Sequence, residues 1–179
     1  MSNIMKHDQA FLNLYFNQFW NPGSGRIVTS HDVIATKLDQ DENILDVGCG
    51  TNPLKHRFPN LIGIDPAFDQ ADIKCTIEDY VPDHLFDVAL CLGSINFGTI
   101  DIIENQIAKV VSCLKPKSRI YWRLNPGRQD HDHPMCKNII FFPWTLELLN
   151  DFALKYSYVQ IGQIESHAIR PRLYAEWVR

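Results

Sequence analysis

Two carboxylates and a pair of glycines carry the clearest chemistry in this chain. Asn43-Ile44-Leu45-Asp46-Val47-Gly48-Cys49-Gly50-Thr51-Asn52 reads as a short apolar strand that ends in an acid and then a tight glycine turn. Lacking Cβ atoms, Gly48 and Gly50 let the backbone turn sharply and let a ligand lie on it. Exposed N–H groups in such a turn, and at the start of a helix behind it, suit an anionic or polar ligand edge. Asn52 and Pro53 have the residue types of an N-cap and a first helical position, so a helix is expected to start there. An ordinary strand-to-helix turn would use the same residues. A second acid sharpens the reading. Nineteen positions after Asp46, Leu61-Ile62-Gly63-Ile64-Asp65 is another apolar run ending in a carboxylate, followed by Pro66. An acid at about that spacing, ending the next parallel strand, is placed to hold a ribose diol. The alternative for Asp65-Pro66 alone is a strand-end turn; together the two stretches favour a nucleoside cradle.

The dinucleotide fingerprint places glycine at its first, third and sixth positions. Here those positions are Gly48, Gly50 and Pro53. The last glycine serves close helix-on-strand packing, so proline argues against a nicotinamide or flavin dinucleotide. No Gly-Lys-Ser/Thr follows, as a phosphate loop requires. The run Asp46-x-Gly48-x-Gly50 instead resembles the first motif of the class I S-adenosylmethionine-dependent methyltransferases, with Asn52 where a third glycine often stands. Phe86-Asp87-Val88 at the opening of a strand is also similar to that family, and Lys115-Pro116-Lys117 partly matches its Lys-Pro-Gly-Gly.

The resemblance covers about residues 30 to 179. It implies a doubly wound α/β domain with a mostly parallel seven-stranded sheet and a C-terminal antiparallel hairpin strand. It also implies S-adenosyl-L-methionine as cofactor and methyl transfer as the reaction. Asp46, Gly48, Cys49, Gly50 and Asn52 would surround the methionine part, and Asp65 and Pro66 the ribose. The family's usual adenine-binding acid position holds Thr76, which leaves the Ile77 backbone and Glu78 for the ring. Leu92 and Gly93 would line the floor near the sulfur. The Asn/Asp-Pro-Pro-aromatic tetrapeptide of the family's amino-methylating nucleic-acid enzymes is absent from Gly93-Ser94-Ile95-Asn96-Phe97-Gly98, which argues against base N-methylation by that route.

The elements that must position these residues follow from periodicity. Residues 4 to 20 have apolar, mainly aromatic positions at helical spacing. With the loop Asn21-Pro22-Gly23-Ser24-Gly25 they make residues 1–29 a helix-and-loop segment that either packs on the body or closes over it as a lid. Residues 30–179 form the methyltransferase-like domain. A helix is expected from His31 to Leu38 behind a Ser30 cap. Strands are expected over 61 to 65, 72 to 77, 86 to 92 and 118 to 124. An amphipathic helix falls over 101 to 114, and a last helix opens near Trp144–Thr145. Segments 156 to 165 and 173 to 178 pair as a hairpin. Five basic residues and no acid lie between Lys115 and Arg128. Among them Arg123 and Arg128 either face solvent or hold an anionic substrate. His131 and His133 follow the fifth strand on the cofactor side, where an imidazole could act as general base. Their loop has metal-binding residue types but no distant partner set, so no metal is expected.

The net charge of −4 over 179 residues gives no strongly basic face, so nucleic acid is not indicated. Five scattered cysteines without a Cys-x-x-Cys pair point to a reduced, cytoplasmic protein. No membrane association and no signal peptide are expected from the apolar runs. Residues 4 to 26, 94 to 100 and 125 to 143 are left to form an acceptor pocket, and their aromatics suit a small molecule. Two rival readings are a non-catalytic S-adenosylmethionine/S-adenosylhomocysteine-binding module and a nicotinamide-dependent oxidoreductase.

Overall fold

The computed structural model describes residues 8–20, 30–126, 133–165 and 172–179. One sheet has six strands: β1 (Ile44–Val47), β2 (Leu61–Ile64), β3 (Phe86–Leu92), β4 (Leu114–Leu124), β5 (Val159–Glu165) and β6 (Leu173–Val178). Their order is β2-β1-β3-β4-β6-β5. The first four run parallel, and β6 enters antiparallel between β4 and β5. Strands β1 and β3 are buried along nearly their whole length, because helices cover both faces of a parallel sheet.

Among the described residues there are four helices: α1 (Gln9–Gln18), α2 (Ser30–Ala35), α3 (Ile100–Ser112) and α4 (Leu146–Lys155). On one face, Ile103, Ile107 and Val110 of α3 and Leu149 and Phe152 of α4 pack with Trp122 and Trp177. On the other, Ile34, Ala35 and Leu38 meet Leu54, Phe58, Leu90 and Tyr121. Each such aliphatic side chain contributes about 1.5–3 kcal/mol by leaving water. A third cluster joins Leu12 and Tyr15 of α1 to Phe97, Cys136 and Ile139. It lies against the segments that follow β3 and β4. Asp8 caps α1 by accepting the Phe11 N–H at 3.1 Å, and Thr145 caps α4 by accepting the Leu148 N–H at 3.1 Å.

Among the described residues the expected seven strands are six. Residues 72 to 77 form a single parallel bridge, Ile73 to Ile64. The backbone there is diverted. Asp72 turns inward to accept the Gly63 N–H at 2.8 Å, and Thr76 Oγ1 accepts the Asp79 N–H to close a turn. Ile73 itself stays 41% exposed, so no second face exists to bury. The helix expected at Asn52-Pro53 is also missing. Asn52 has φ +55°, whereas an N-cap needs an extended backbone, and only turns fill 53–57. Further along, β4 begins at Leu114 rather than Ser118, with its pairing to β3 jumping from Leu114 to Arg119 across Pro116. The hairpin of β5 and β6 forms as expected, though Tyr156 closes α4 instead of opening the strand. No helix among the described residues is long and apolar enough to cross a membrane.

Candidate functional site

The carboxyl ends of β1, β2, β3 and β4 share one edge of the sheet, where ligands bind in open α/β folds. Asp46 pairs with Gly63 of β2 and Leu90 of β3, so it occupies the centre of the sheet just below that edge. It is 1% exposed, and its Oδ2 has no hydrogen-bond partner. Burial, and after it the negative charge of Asp65, push the Asp46 carboxyl up to about 7.

Gly48 and Gly50 have φ +68° and +57°, a backbone region that favours glycine. Their surroundings differ. A Cβ on Gly48 would stand 2.4 Å from Ser94 Cβ, so this glycine admits the segment after β3 against the turn. A Cβ on Gly50 would meet nothing within 4 Å, so its face is open. Gly48→Ala is therefore expected to cost about 3 kcal/mol or more through the clash and the strained φ, and Gly50→Ala only about 1 kcal/mol through φ alone. Urea denaturation of both variants checks this; equal losses would mean that Ser94 does not constrain the turn.

The expectation that this turn presents free N–H groups fails. The Gly48 and Cys49 N–H groups both donate to the Ile64 carbonyl, at 2.8 and 3.1 Å. The Gly50 N–H donates to Asp65 Oδ2 at 3.0 Å, and the Asn52 N–H to the Cys49 carbonyl at 2.9 Å. With these donors spent and no helix N-terminus behind them, the turn has little to offer a phosphate. The second acid is equally committed. Asp65, 7% exposed, also accepts the Ala67 and Phe68 N–H groups through Oδ1 at 2.8 and 3.1 Å. Its Oδ2 takes one protein donor, which leaves capacity for a ligand hydroxyl. Pro66 sits within this Asp65-anchored turn.

Asn52 replaces the family's third glycine by packing elsewhere. Its Nδ2 donates to the Gln70 carbonyl and to Asp72 Oδ2, each at 3.3 Å. Its side chain lies on Gly63, where a Cβ would stand 2.7 Å from Asn52 Oδ1 and 2.8 Å from Cys49 Sγ. Gly63 is thus a required glycine that motif reading passes over; a glycine inside a buried strand is the signal that finds it. Asp72, below Asn52, carries a 3.1 Å ion pair with Lys55. Burial works to raise its carboxyl, but the Gly63 N–H, Lys55 and Asn52 outweigh this and leave it below the usual range. Burial and the charges of Asp46, Asp65 and Asp72 push the Cys49 thiol up, so it is no nucleophile.

The remaining expected residues are scattered. Leu92 ends β3, and Gly93 beside it has φ +115°. Ile77 is buried in the main core, while the exposed Glu78 accepts from Gln106 Nε2 of α3 at 2.7 Å. The structure ties Glu78 to α3 and records no contact between it and the glycine turn. His131, with Arg26 and Arg128, lies outside the described residues. His133 caps the short 3-10 turn Pro134–Asn138, with its Nδ1 accepting the Met135 N–H at 3.2 Å. That bond occupies the lone pair of Nδ1 and puts the proton of the neutral ring on Nε2, which can then only donate. In the structure the His133 side chain is a cap, packed between Tyr15 and Phe19 of the α1 segment at centroid distances of 5.9 and 5.2 Å.

Sequence reasoning gave the segment after β3 to the acceptor pocket but missed the buried bonds that hold it. Asn96 is fully buried, and its Oδ1 accepts the Asn125 N–H at 2.7 Å. Its carbonyl accepts the Phe142 N–H at 2.8 Å, and Trp144 Nε1 donates to the Ile95 carbonyl at 2.9 Å. These bonds lock the exits of β3 and β4 to residues 140–144. Ser94 Oγ and Asn96 Nδ2 remain buried without partners.

No protein-family model matches the chain. It is 27% identical over 133 residues to the ribosomal protein L11 methyltransferase of Bacteroides thetaiotaomicron, a match covering 63% of this chain. The aligned part spans 47% of that curated relative, about half its length. Among solved structures, the magnesium protoporphyrin IX methyltransferase of Synechocystis PCC 6803 with bound S-adenosylmethionine superposes with a TM-score of 0.73 at 13% identity, over 99% of this chain and 100% of that one. The Burkholderia thailandensis 1,6-didemethyltoxoflavin-N1-methyltransferase, with its acceptor and S-adenosylhomocysteine bound, gives 0.66 at 13% identity over 82% and 75%. The sheet order, the acid-and-glycine turn at its carboxyl edge and these superpositions agree: the chain has the fold of the class I S-adenosylmethionine-dependent methyltransferases.

Proposed function

We propose that the chain is an S-adenosylmethionine-dependent methyltransferase acting on a small-molecule acceptor. The observation that carries this reading is Asp46: a buried carboxylate with an unpartnered oxygen beside a glycine turn whose N–H groups are already spent. Such a site suits a ligand whose nearest group is a cation and disfavours one that brings a pyrophosphate. That is the difference between S-adenosylmethionine and a nicotinamide dinucleotide. The open face of Gly50 gives the methionine part its room, and the free capacity of Asp65 Oδ2 takes a ribose hydroxyl. When bound, S-adenosylmethionine would supply a methyl group on a sulfonium, whose thioether is already a good leaving group. The protein's task is then to align the acceptor and exclude water.

Helix α1 serves as the lid. Its Asn17 Nδ2 donates to the Ala67 carbonyl at 2.8 Å, two residues after Asp65. Phe16 on the same helix packs on Phe97, centroids 5.4 Å apart, in the segment after β3. The helix therefore spans from the exit of β2 to the exit of β3. Tyr15, Phe16, Phe97 and Phe141 pack together as an aromatic cluster beneath this helix, and an acceptor bound beside it would meet apolar, aromatic surroundings, which favours a small, flat acceptor. The solved relatives that carry 1,6-didemethyltoxoflavin or are named for magnesium protoporphyrin IX point the same way.

The test is incubation of the protein with methyl-labelled S-adenosylmethionine and a cell extract separated into metabolite, protein and RNA fractions. Label is expected in the metabolite fraction. Label in protein would move the reading toward the curated relative's kind of acceptor, and no label beyond background would favour the non-catalytic binding module. In the same assay His133→Ala is expected to slow transfer less than about ten-fold without changing the pH profile; loss of the basic limb would restore it as a base.

A further inference from the structure

Of the two arginines expected either to face solvent or to hold an anionic substrate, Arg123 lies among the described residues. Arg123 stands near the end of β4, opposite Leu92 of β3 and Tyr174 of β6. It is half-buried, on the sheet face covered by α2. Its Nη1 would lie 2.8 Å from a Cβ on Gly93, so the guanidinium rests directly on that glycine. The same nitrogen donates to the Leu92 carbonyl at a long 3.4 Å.

Among the described residues Arg123 has no carboxylate partner. Two other charged groups of this face are paired. Arg119 is engaged by Glu42, and Glu176 of β6 by Lys37 and the Tyr121 hydroxyl. A half-buried guanidinium left without an anion, while its neighbours pair, is a site waiting for one. His31, the second residue of α2, sits close enough to feel it. Burial first, and the Arg123 charge second, hold its imidazole below the usual pKa against the pull of Asp32. Neutral His31 therefore adds a hydrogen-bonding group to the corner and no competing charge.

We propose that Arg123, with His31 beside it, forms an anion-binding corner of the cleft that takes the carboxylate of a bound ligand. The placement of the cleft rests on the methyltransferase reading above. The carboxylate has two sources: the methionine part of S-adenosylmethionine, or an acidic acceptor. A planar guanidinium over a glycine offers two parallel N–H donors to either.

The experiment compares the wild type with Arg123→Gln and Arg123→Lys by calorimetry, after thermal denaturation has shown that all three are folded. The probes are S-adenosylhomocysteine, 5′-methylthioadenosine, which lacks the amino-acid part, and benzoate with benzamide as its neutral control. If the cofactor supplies the carboxylate, Arg123→Gln weakens S-adenosylhomocysteine at least ten-fold and leaves 5′-methylthioadenosine unchanged. If an acceptor supplies it, S-adenosylhomocysteine is unchanged, while benzoate binds in preference to benzamide and Arg123→Gln abolishes this. Arg123→Lys recovers part of the affinity in both cases. A merely structural arginine would shift the two adenosyl probes together. Equal affinities of wild type and Arg123→Gln for S-adenosylhomocysteine and benzoate overturn the proposal. Benzoate is titrated into the free protein as well. Failure of both adenosyl ligands to bind wild type would then refute the methyltransferase reading, while the benzoate arm still decides the corner.

Discussion

Asp46→Asn is expected to stabilise the protein at pH 8 by roughly 3–5 kcal/mol relative to any difference the substitution makes at pH 4. Asp46 is buried with one oxygen unpartnered and a pKa of about 7, raised by burial first and by Asp65 second. The sign follows from the proton count. An unfolded aspartate ionises near the ordinary carboxylate pKa, while the folded one keeps its proton up to about 7. Between those values the folded state holds more protons, so wild-type stability falls as pH rises through the window and levels off above it. Asparagine does not titrate and lacks that fall. Urea denaturation of both proteins from pH 4 to pH 8 gives the difference curve, in which the other titrating groups largely cancel. Parallel curves would mean that Asp46 is ionised at a normal pKa. The same protonation bears on ligands: a cationic ligand favours ionised Asp46, so its affinity should rise by about ten-fold between pH 6 and pH 8.

Asp65 gives the second large effect, and two substitutions separate its roles. Asp65→Ala leaves the N–H groups of Gly50, Ala67 and Phe68 without their acceptor. At about 1–2 kcal/mol for each unsatisfied group, the loss is roughly 3–6 kcal/mol, enough to threaten the fold. Asp65→Asn keeps one oxygen for Ala67 and Phe68 and sets an amide against the Gly50 N–H, for a loss of about 1–2 kcal/mol. The Asn variant is the one to assay for binding. Its affinity for S-adenosylhomocysteine is expected to fall about ten- to hundred-fold, since a charged acceptor to a ribose hydroxyl is lost. Removing this charge should also bring the Asp46 pKa down. Unchanged affinity in a folded Asp65→Asn protein would remove the ribose assignment and leave Asp65 as a turn anchor.

The elements that periodicity sets were readable in the chain. The apolar runs of β1, β2 and β3, the stripe of α3 and the Thr145 cap of α4 all state their fold locally. What failed were places where a side chain bonds to backbone far from it in sequence. Asp72 reaches back to Gly63 and removes a strand, and Asn52 adopts a left-handed backbone over Gly63 and removes a helix. Both residues look like ordinary punctuation in one dimension. In the site, the spacing of Asp46, Gly48, Gly50 and Asp65 located the turn correctly, but spacing says nothing of donors already spent. That the N–H groups of residues 48 to 50 face β2 and Asp65 became visible only when the strands were side by side. The role of His133 as a cap rests likewise on the 3-10 turn it opens, a structure too short to leave a periodic trace.

Titration calorimetry with S-adenosylmethionine and S-adenosylhomocysteine, against NADH under the same conditions, decides whether this edge of the sheet is the cofactor site. Binding of both adenosyl ligands in the micromolar range, with none for NADH, is the expected result. Binding of NADH, or of none of the three, would contradict it and leave a methyltransferase fold that has lost its donor.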